Sequence, residues 1–104
     1  MLLRIIKEPF LKTSAKRHAQ AADWLESWRK VVRAARWKSI AEVRKTYPHA
    51  DAVAVRSVRT ATVFNVKGNE FRLITAIHYK TQIIFTLRFL THAEYSKGHW
   101  QTEL

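Results

Sequence analysis

The chain has 104 residues, no cysteine, and 19 lysine and arginine residues against eight aspartate and glutamate residues, which gives a formal net charge of +11 at pH 7. Without cysteine it has neither disulfide bonds nor thiolate metal ligands, and it suits the reducing cytoplasm, where we expect it to act. Its length predicts one domain, residues 1–104, and no apolar stretch approaches the roughly 20 residues that span a bilayer. The excess of positive charge favours a polyanionic partner such as nucleic acid or the ribosome. We expect no membrane partner, because the one long amphipathic helix is needed for the core.

The first half of the sequence predicts a strand followed by two helices. We interpret MLLRIIKEPF, residues 1–10, as an edge or early strand, because its charges interrupt what would be a signal-peptide core. Residues 14–36 predict a long helix, since steps of about 100° per residue place its apolar side chains on one arc. These side chains are Ala21, Trp24, Leu25, Trp28, Val31, Val32 and Ala35. Ser39 and Glu42 have capping-box spacing at the start of a short second helix, which Pro48 ends.

From about Val53 the composition becomes typical of β-strands, with many valine, isoleucine, threonine and phenylalanine residues. The predicted strands are VAVRSVRTATVFNV (53–66), EFRLITAIHY (70–79) and IIFTLRFL (83–90). Gly68 and Asn69 predict a two-residue hairpin turn, and residues 80–82 predict the last turn. The order β-α-α-β-β-β therefore predicts an α+β fold, an antiparallel β-sheet with two N-terminal helices packed on one face.

Strand register divides the side chains between two faces, because successive residues point to opposite sides. Pairing Phe64 with Leu73 places both on the face that meets the helices, and we assign Ile83, Phe85, Leu87 and Phe89 to the same face. The opposite face then carries five polar residues among Val63, Ile74, Ile84 and Thr86. These five are Asn65, Lys67, Arg72, His78 and Arg88. If Tyr79 opposes Ile83, Arg88 lies one diagonal step from Arg72, and two neighbouring guanidinium groups favour an anion between them.

The stretch RFLTHAEYSKGHW, residues 88–100, brings acid–base groups to the rim of that face. If the anion is RNA, cleavage requires the 2′-OH to lose a proton, the phosphorane-like transition state to be stabilised, and the 5′-oxygen to gain a proton. Arg72 and Arg88 suit the second task, and His92 suits the first or the third. Tyr95 either forms a phenolate beside cations or stacks on a base. Lys97 either holds a phosphate or lowers the pKa of Tyr95.

The remaining polar residues have less specific interpretations. Asn65, Lys67 and His78 are the predicted RNA contacts on the open face. We expect no cofactor and no metal ion, because the spacing of His92, Glu94 and His99 matches no usual zinc arrangement. His18, His49 and His99 are interpreted as surface residues.

Three segments resemble the HigB family of bacterial toxins, which belongs to the RelE-like superfamily of mRNA interferases. They are WKS at 37–39, VFNVKGNEFRLITAIHY at 63–79 and RFLTHAEYSK at 88–97. The resemblance implies a RelE-like fold and a toxin of a type II toxin–antitoxin system that cleaves mRNA in association with ribosomes and so inhibits translation and growth. It also implies a helix-turn-helix antitoxin of the HigA type, with which the toxin forms a hetero-oligomeric complex.

The resemblance also places functional positions on this chain. The sheet arginine of the superfamily falls on Arg72, the basic position before it on Lys67, and the cluster after the last strand on His92, Tyr95 and Lys97. Phe71 stands where tyrosine is common, and Ser96 stands where the family pattern has an aspartate.

Two other functions are compatible with the same residues. A non-catalytic RNA- or ribosome-binding module would use the same basic face without cutting. A regulatory protein that binds duplex DNA would require a recognition helix, whereas the only long predicted helix is committed to the core.

Overall fold

The computed structural model describes residues 2–57 and 59–104 and confirms the predicted α+β class. Met1 and Val58, which fall in the stretches predicted as strands over 1–10 and 53–66, lie outside the described residues. The strands are β1 (Arg4–Ile6), β2 (Asp51–Ala54), β3 (Thr60–Val66), β4 (Phe71–His78) and β5 (Ile83–Thr91). The helices are α1 (Pro9–Arg17), α2 (Ala22–Ala34), α3 (Ile40–Thr46), α4 (His92–Lys97) and α5 (His99–Glu103). In the described part of the chain, no helix combines the length and apolar character needed to cross a membrane.

The five strands form one mixed sheet in the order β1-β5-β4-β3-β2. β1 pairs in parallel with β5, and the other pairs are antiparallel, so the prediction of a purely antiparallel sheet is corrected at this edge. The parallel pair is possible because the chain crosses over through the helices before it returns to the sheet. The stretch predicted as one strand over 53–66 is two strands, joined by a turn in which the Val55 N–H donates to the Arg59 carbonyl at 3.0 Å.

The helices differ from the prediction at their ends. α1 begins at Pro9, where proline supplies a helical φ and needs no hydrogen-bond acceptor. The predicted helix over 14–36 is interrupted at His18, which leaves helical geometry (φ −130°, ψ 74°) and precedes a short 3₁₀ turn. Ser39 does precede α3, but its side chain makes no capping hydrogen bond, so the predicted capping box with Glu42 is wrong.

The main core lies between the sheet and helices α1 to α3. Four residues of the predicted apolar arc are buried there, namely Ala21, Leu25, Trp28 and Val32, and the other three pack against them. Phe64 of β3 is fully buried and meets Trp28 edge-on at 5.5 Å, Trp37 at 6.3 Å and Tyr47 edge-on at 5.3 Å. This aromatic cluster fixes the helices on one face of the sheet and confirms their predicted side.

A β-bulge in β5 changes which of its residues face the helices. Ile74 opposes Arg88 as predicted, but Thr75 opposes Thr86, so Leu87 is an extra residue and the alternation reverses across it. Ile84 and Thr86 therefore face the helices, and Ile84 is fully buried in the main core. The core positions assigned to Ile83, Phe85 and Leu87 are wrong, and Phe85 instead contacts the His78 ring at 5.3 Å. Phe89 lies beyond the bulge and packs on the main core as predicted, whereas Ile83 opposes His78 and not Tyr79.

The second face of the sheet is partly covered by α4 and α5. Trp100 of α5 is buried there with Ala61, Val63 and Ile74, and Leu104 packs at the edge of the same cluster. The expectation of an open face is therefore corrected for its centre. Among the described residues, the accessible parts of this face lie at its ends.

Candidate active site

Arg72 is the most unusual residue of the second face, because its charged side chain is buried within the sheet (8% exposed). One terminal nitrogen donates to the Phe71 carbonyl at 3.0 Å, and the other donates to Asn69 Oδ1 at 3.2 Å. The guanidinium carbon lies 5.2 Å from the centre of the Tyr95 ring. A guanidinium group has five N–H donors in a fixed plane. These contacts therefore hold its orientation and leave donors for an anionic ligand.

Tyr95 is held over Arg72 by the C-terminal helices. Its ring stacks on Trp100 at 5.2 Å with an interplanar angle of 17°, and Trp100 Nε1 donates to the Tyr95 carbonyl at 3.2 Å. Gly98 between α4 and α5 has a left-handed backbone (φ 76°), a geometry that costs other residues energy. This turn folds α5 back, so that Trp100 reaches the ring of Tyr95.

The pKa of Tyr95 is raised, mainly by burial and further by the negative charge of Asp51. The positive charge of Arg72 lowers the pKa of Tyr95, but by less than burial raises it. The direction of this shift disfavours the phenolate alternative and favours a neutral phenol, which can donate its O–H proton.

The start of α4 fixes the position of His92 beside the β3–β4 turn. The His92 N–H donates to the Glu70 carbonyl at 2.9 Å, while its side chain is exposed. A capping box begins the helix: the Thr91 N–H donates to Glu94 Oε1 at 2.9 Å, and the Glu94 N–H donates to Thr91 Oγ1 at 3.2 Å. The backbone bond from Thr91 is the main reason that the pKa of Glu94 is lowered. Glu94 is thus a structural residue.

Three further predicted residues lie at the same end of the sheet as Arg72. Asn65 is its direct cross-strand neighbour on β3. Lys67 is exposed at the start of the β3–β4 turn with φ 51°, and Lys97 is exposed in the last turn of α4. The predicted register of this hairpin, Val66 opposite Phe71, is confirmed, although four residues separate the strands where the sequence predicted two.

Arg88 and His78 are less closely joined to this site. Arg88 donates to the Leu87 carbonyl at 2.8 Å, and its Nε lies 3.9 Å from Glu103 Oε1, so a carboxylate at least partly neutralises it. His78 ends β4, six residues beyond Arg72, which corresponds to about 20 Å at the rise of a strand. The predicted RNA contact of His78 therefore concerns a separate surface.

Several residues of the site were not identified from the sequence. Asn69, interpreted only as a turn residue, orients Arg72, and Trp100 supports Tyr95. A groove of about 490 Å³ adjoins Asn65 and Asn69 and is also bordered by Trp24, Tyr47, Pro48 and His49. His49 is exposed, as predicted, and lies beside the site. The interpretation of His18 as a surface residue is corrected, because it is half-buried and its ring packs on Phe71 at 4.9 Å and on Phe89 at 5.6 Å.

The described residues contain no group of three or more histidine, aspartate or glutamate side chains arranged to hold a metal ion. The site instead presents a fixed guanidinium group, a neutral phenol, an exposed imidazole and two exposed ammonium groups. Groups of these types can bind a phosphodiester and exchange protons with it.

The sequence matches a known protein family. The sequence model of the HigB toxin family, described as the RelE-like toxic component of a toxin–antitoxin system, matches residues 21–98. This range includes every predicted site residue from Asn65 to Lys97. No curated protein matches the chain.

Proposed function

Because the chain belongs to the HigB family of RelE-like toxins, we propose that it is an endoribonuclease that cleaves mRNA on the ribosome and so inhibits translation and growth. The observation that supports this activity is the buried Arg72 guanidinium. It is oriented by Asn69 and backed by Tyr95, and it keeps free donors for phosphate oxygens. Charge placed in advance where a transition state develops charge is the largest catalytic effect in most enzymes.

The proposed reaction is attack of the RNA 2′-oxygen on the adjacent phosphorus. The 2′-oxygen–phosphorus bond forms and the bond from phosphorus to the 5′-oxygen breaks, which leaves a 2′,3′-cyclic phosphate and a free 5′-hydroxyl. His92 accepts the 2′-OH proton, because imidazole is the side chain that titrates near neutral pH. Tyr95 donates its O–H proton to the 5′-oxygen and regains a proton from solvent.

The remaining cations and the adjoining groove bind the RNA strand in this proposal. Arg72 and Arg88 bind the charged phosphorane, and the exposed Lys67 and Lys97 hold neighbouring phosphates. The groove beside Asn65 and Asn69 receives a base, because unpaired bases stack on aromatic side chains and hydrogen-bond through their edges.

Membership of this family implies an antitoxin partner. We propose that this antitoxin is a helix-turn-helix protein of the HigA type and that it forms a hetero-oligomeric complex with the toxin. The formal charge of +11 favours an acidic antitoxin surface over the basic end of the sheet.

The test is cleavage of mRNA on purified ribosomes by wild-type protein, by Arg72→Gln and by Arg33→Gln. Arg33 is a matched control, because it is an exposed arginine on α2 that pairs with Glu8, away from the sheet. We expect Arg72→Gln to lower the cleavage rate about 100- to 1,000-fold, the cost of one transition-state donor. Arg33→Gln should cut at the wild-type rate.

The outcomes separate cleavage from simple binding. Cut ends that carry a 2′,3′-cyclic phosphate or its hydrolysis product support the proposed reaction, and ends with a 3′-hydroxyl contradict it. If the wild-type protein binds ribosomes and never cuts, the chain is a binding module and the endoribonuclease proposal is refuted.

A further inference from the structure

A second positively charged groove lies at the end of the sheet opposite Arg72. It has a volume of about 660 Å³ and is lined by Arg36, Lys38, Tyr79, Lys80 and Gln82. Arg36 and Lys38 belong to the connection between α2 and α3, and Lys80 belongs to the β4–β5 turn. The groove is therefore formed by two segments that are distant in sequence.

Gln82 joins these two segments. Its side-chain nitrogen donates to the Trp37 carbonyl and to the Tyr79 carbonyl, each at 2.7 Å. The residue is buried (8% exposed) and has a left-handed backbone (φ 56°), a conformation that is uncommon for a residue other than glycine. The backbone on both sides of the groove is thus held by one buried side chain, which fixes the places from which the cations extend.

The three cations of the groove have no acidic partner among the described residues. The ion pairs found there involve Arg29, Arg33, Arg44 and Arg88 only, and no carboxylate lines the groove. Arg36, Lys38 and Lys80 are exposed. Like charges gathered around one concave surface repel one another and attract a polyanion.

We propose that this groove is a second contact site for the phosphate backbone of the RNA, which rests on the function proposed above. β4 runs between the two sites for eight residues, or about 26 Å at the rise of a strand. The groove lies on the helix side, where Tyr79 and Trp37 pack on the main core, so an RNA strand that occupies both sites passes around the end of the sheet. Such a strand gains affinity, because the second contact forms at high effective concentration. The groove contributes binding energy and takes no part in the reaction at Arg72.

The test compares two variants that lose the same charge. The groove variant combines Arg36→Gln, Lys38→Gln and Lys80→Gln. The control combines Lys12→Gln, Lys16→Gln and Lys30→Gln, which change exposed residues of α1 and α2. Binding of a 2′-O-methyl single-stranded RNA, which cannot be cut, is measured as a function of salt concentration. Each phosphate contact contributes a slope of about 0.7 in log affinity against log salt, so we expect the slope to fall by about 2 (three contacts) in the groove variant only. Ribosomes without mRNA form a second arm, which distinguishes ribosomal RNA from messenger RNA as the source of the phosphates.

An equal fall of the slope in both variants would mean that net charge alone is responsible, and would overturn the proposal. So would an unchanged slope in the groove variant together with loss of antitoxin binding, which would assign the groove to an acidic protein. The probe measures binding only and does not depend on cleavage. If the wild-type protein binds through the groove but never cleaves RNA, the proposed function is refuted, and this inference still stands.

Discussion

Replacement of Tyr95 by phenylalanine separates the packing of its ring from the donation of a proton by its hydroxyl. The Tyr95 ring contacts both the Arg72 guanidinium and Trp100, each at 5.2 Å from its centre, and no hydrogen bond joins the hydroxyl to another described residue. Phenylalanine keeps the ring contacts and removes only the proton donor. We therefore expect Tyr95→Phe to change the free energy of unfolding by less than about 0.5 kcal/mol and to slow cleavage about 100- to 10,000-fold.

Tyr95→Ala provides the comparison, since it removes the ring as well. The stack on Trp100 is worth about 0.5–1.5 kcal/mol, and the contact with the guanidinium about 0.5–2 kcal/mol. Together they predict a loss of about 1–3.5 kcal/mol in the free energy of unfolding. Urea denaturation measures this loss, and single-turnover cleavage of ribosome-bound mRNA measures the rate. Because the pKa of Tyr95 is raised, the rate deficit of Tyr95→Phe should stay constant from neutral pH to the ordinary tyrosine value of about 10.

Cleavage by Tyr95→Phe within threefold of wild type would refute the role of Tyr95 as a proton donor. A loss of stability in Tyr95→Phe as large as that in Tyr95→Ala would instead contradict the argument from ring contacts. The two measurements are independent, so one part of the reasoning can fail without the other.

Burial raises the pKa of Tyr47 from 10.0 to about 12, so the unfolded chain loses this proton at a lower pH than the folded one. The contribution of the protonated Tyr47 hydroxyl to stability is complete below pH 10 and is lost as the pH rises towards 12. Tyr47→Phe, which lacks this hydroxyl, should therefore lose less stability than wild type in alkaline urea titrations. Gly98→Ala should lower the free energy of unfolding by about 1–2 kcal/mol, because alanine at a left-handed position is strained. Equal stability of Gly98→Ala and wild type would show that the turn between α4 and α5 relaxes readily.

Local sequence patterns were sufficient to predict the α+β class, the β3–β4 register and the part of the helix-side core that α2, β3 and β4 supply. The apolar arc of α2 and the alternation of apolar side chains around Phe64 and Leu73 each show one side facing the core and the other facing away. The buried residues can therefore be read directly from these patterns. The interruption at His18 could not be predicted in this way. Residues 14–36 have a helical period throughout, whereas at the break the His18 ring packs on Phe71 and Phe89, which are distant in sequence and give no local signal.

The bulge at Leu87 shows the limit of register arguments. Alternation predicts faces correctly only while each strand residue has one partner, and the extra residue in β5 reverses the pattern for the half of the strand before it. Arg88 was placed opposite Ile74 correctly because two shifts cancel: Ile83 opposes His78 and not Tyr79, and the extra residue Leu87 restores the register before Arg88. Ile84 lies before the bulge and was assigned to the wrong face.

The nature of the site depended on the coverage of the second face, which the sequence did not reveal. On an open face, Arg72 and Arg88 would be solvated cations and Tyr95 would have a lowered pKa beside them. Trp100 and Leu104 instead cover the centre of this face, so Arg72 is buried and oriented, and the pKa of Tyr95 is raised by the same burial. Desolvation strengthens the interaction of the guanidinium with a phosphate while it keeps the phenol neutral. The same packing thus favours the two different tasks that we propose for these neighbouring side chains, charge stabilisation by Arg72 and proton donation by Tyr95.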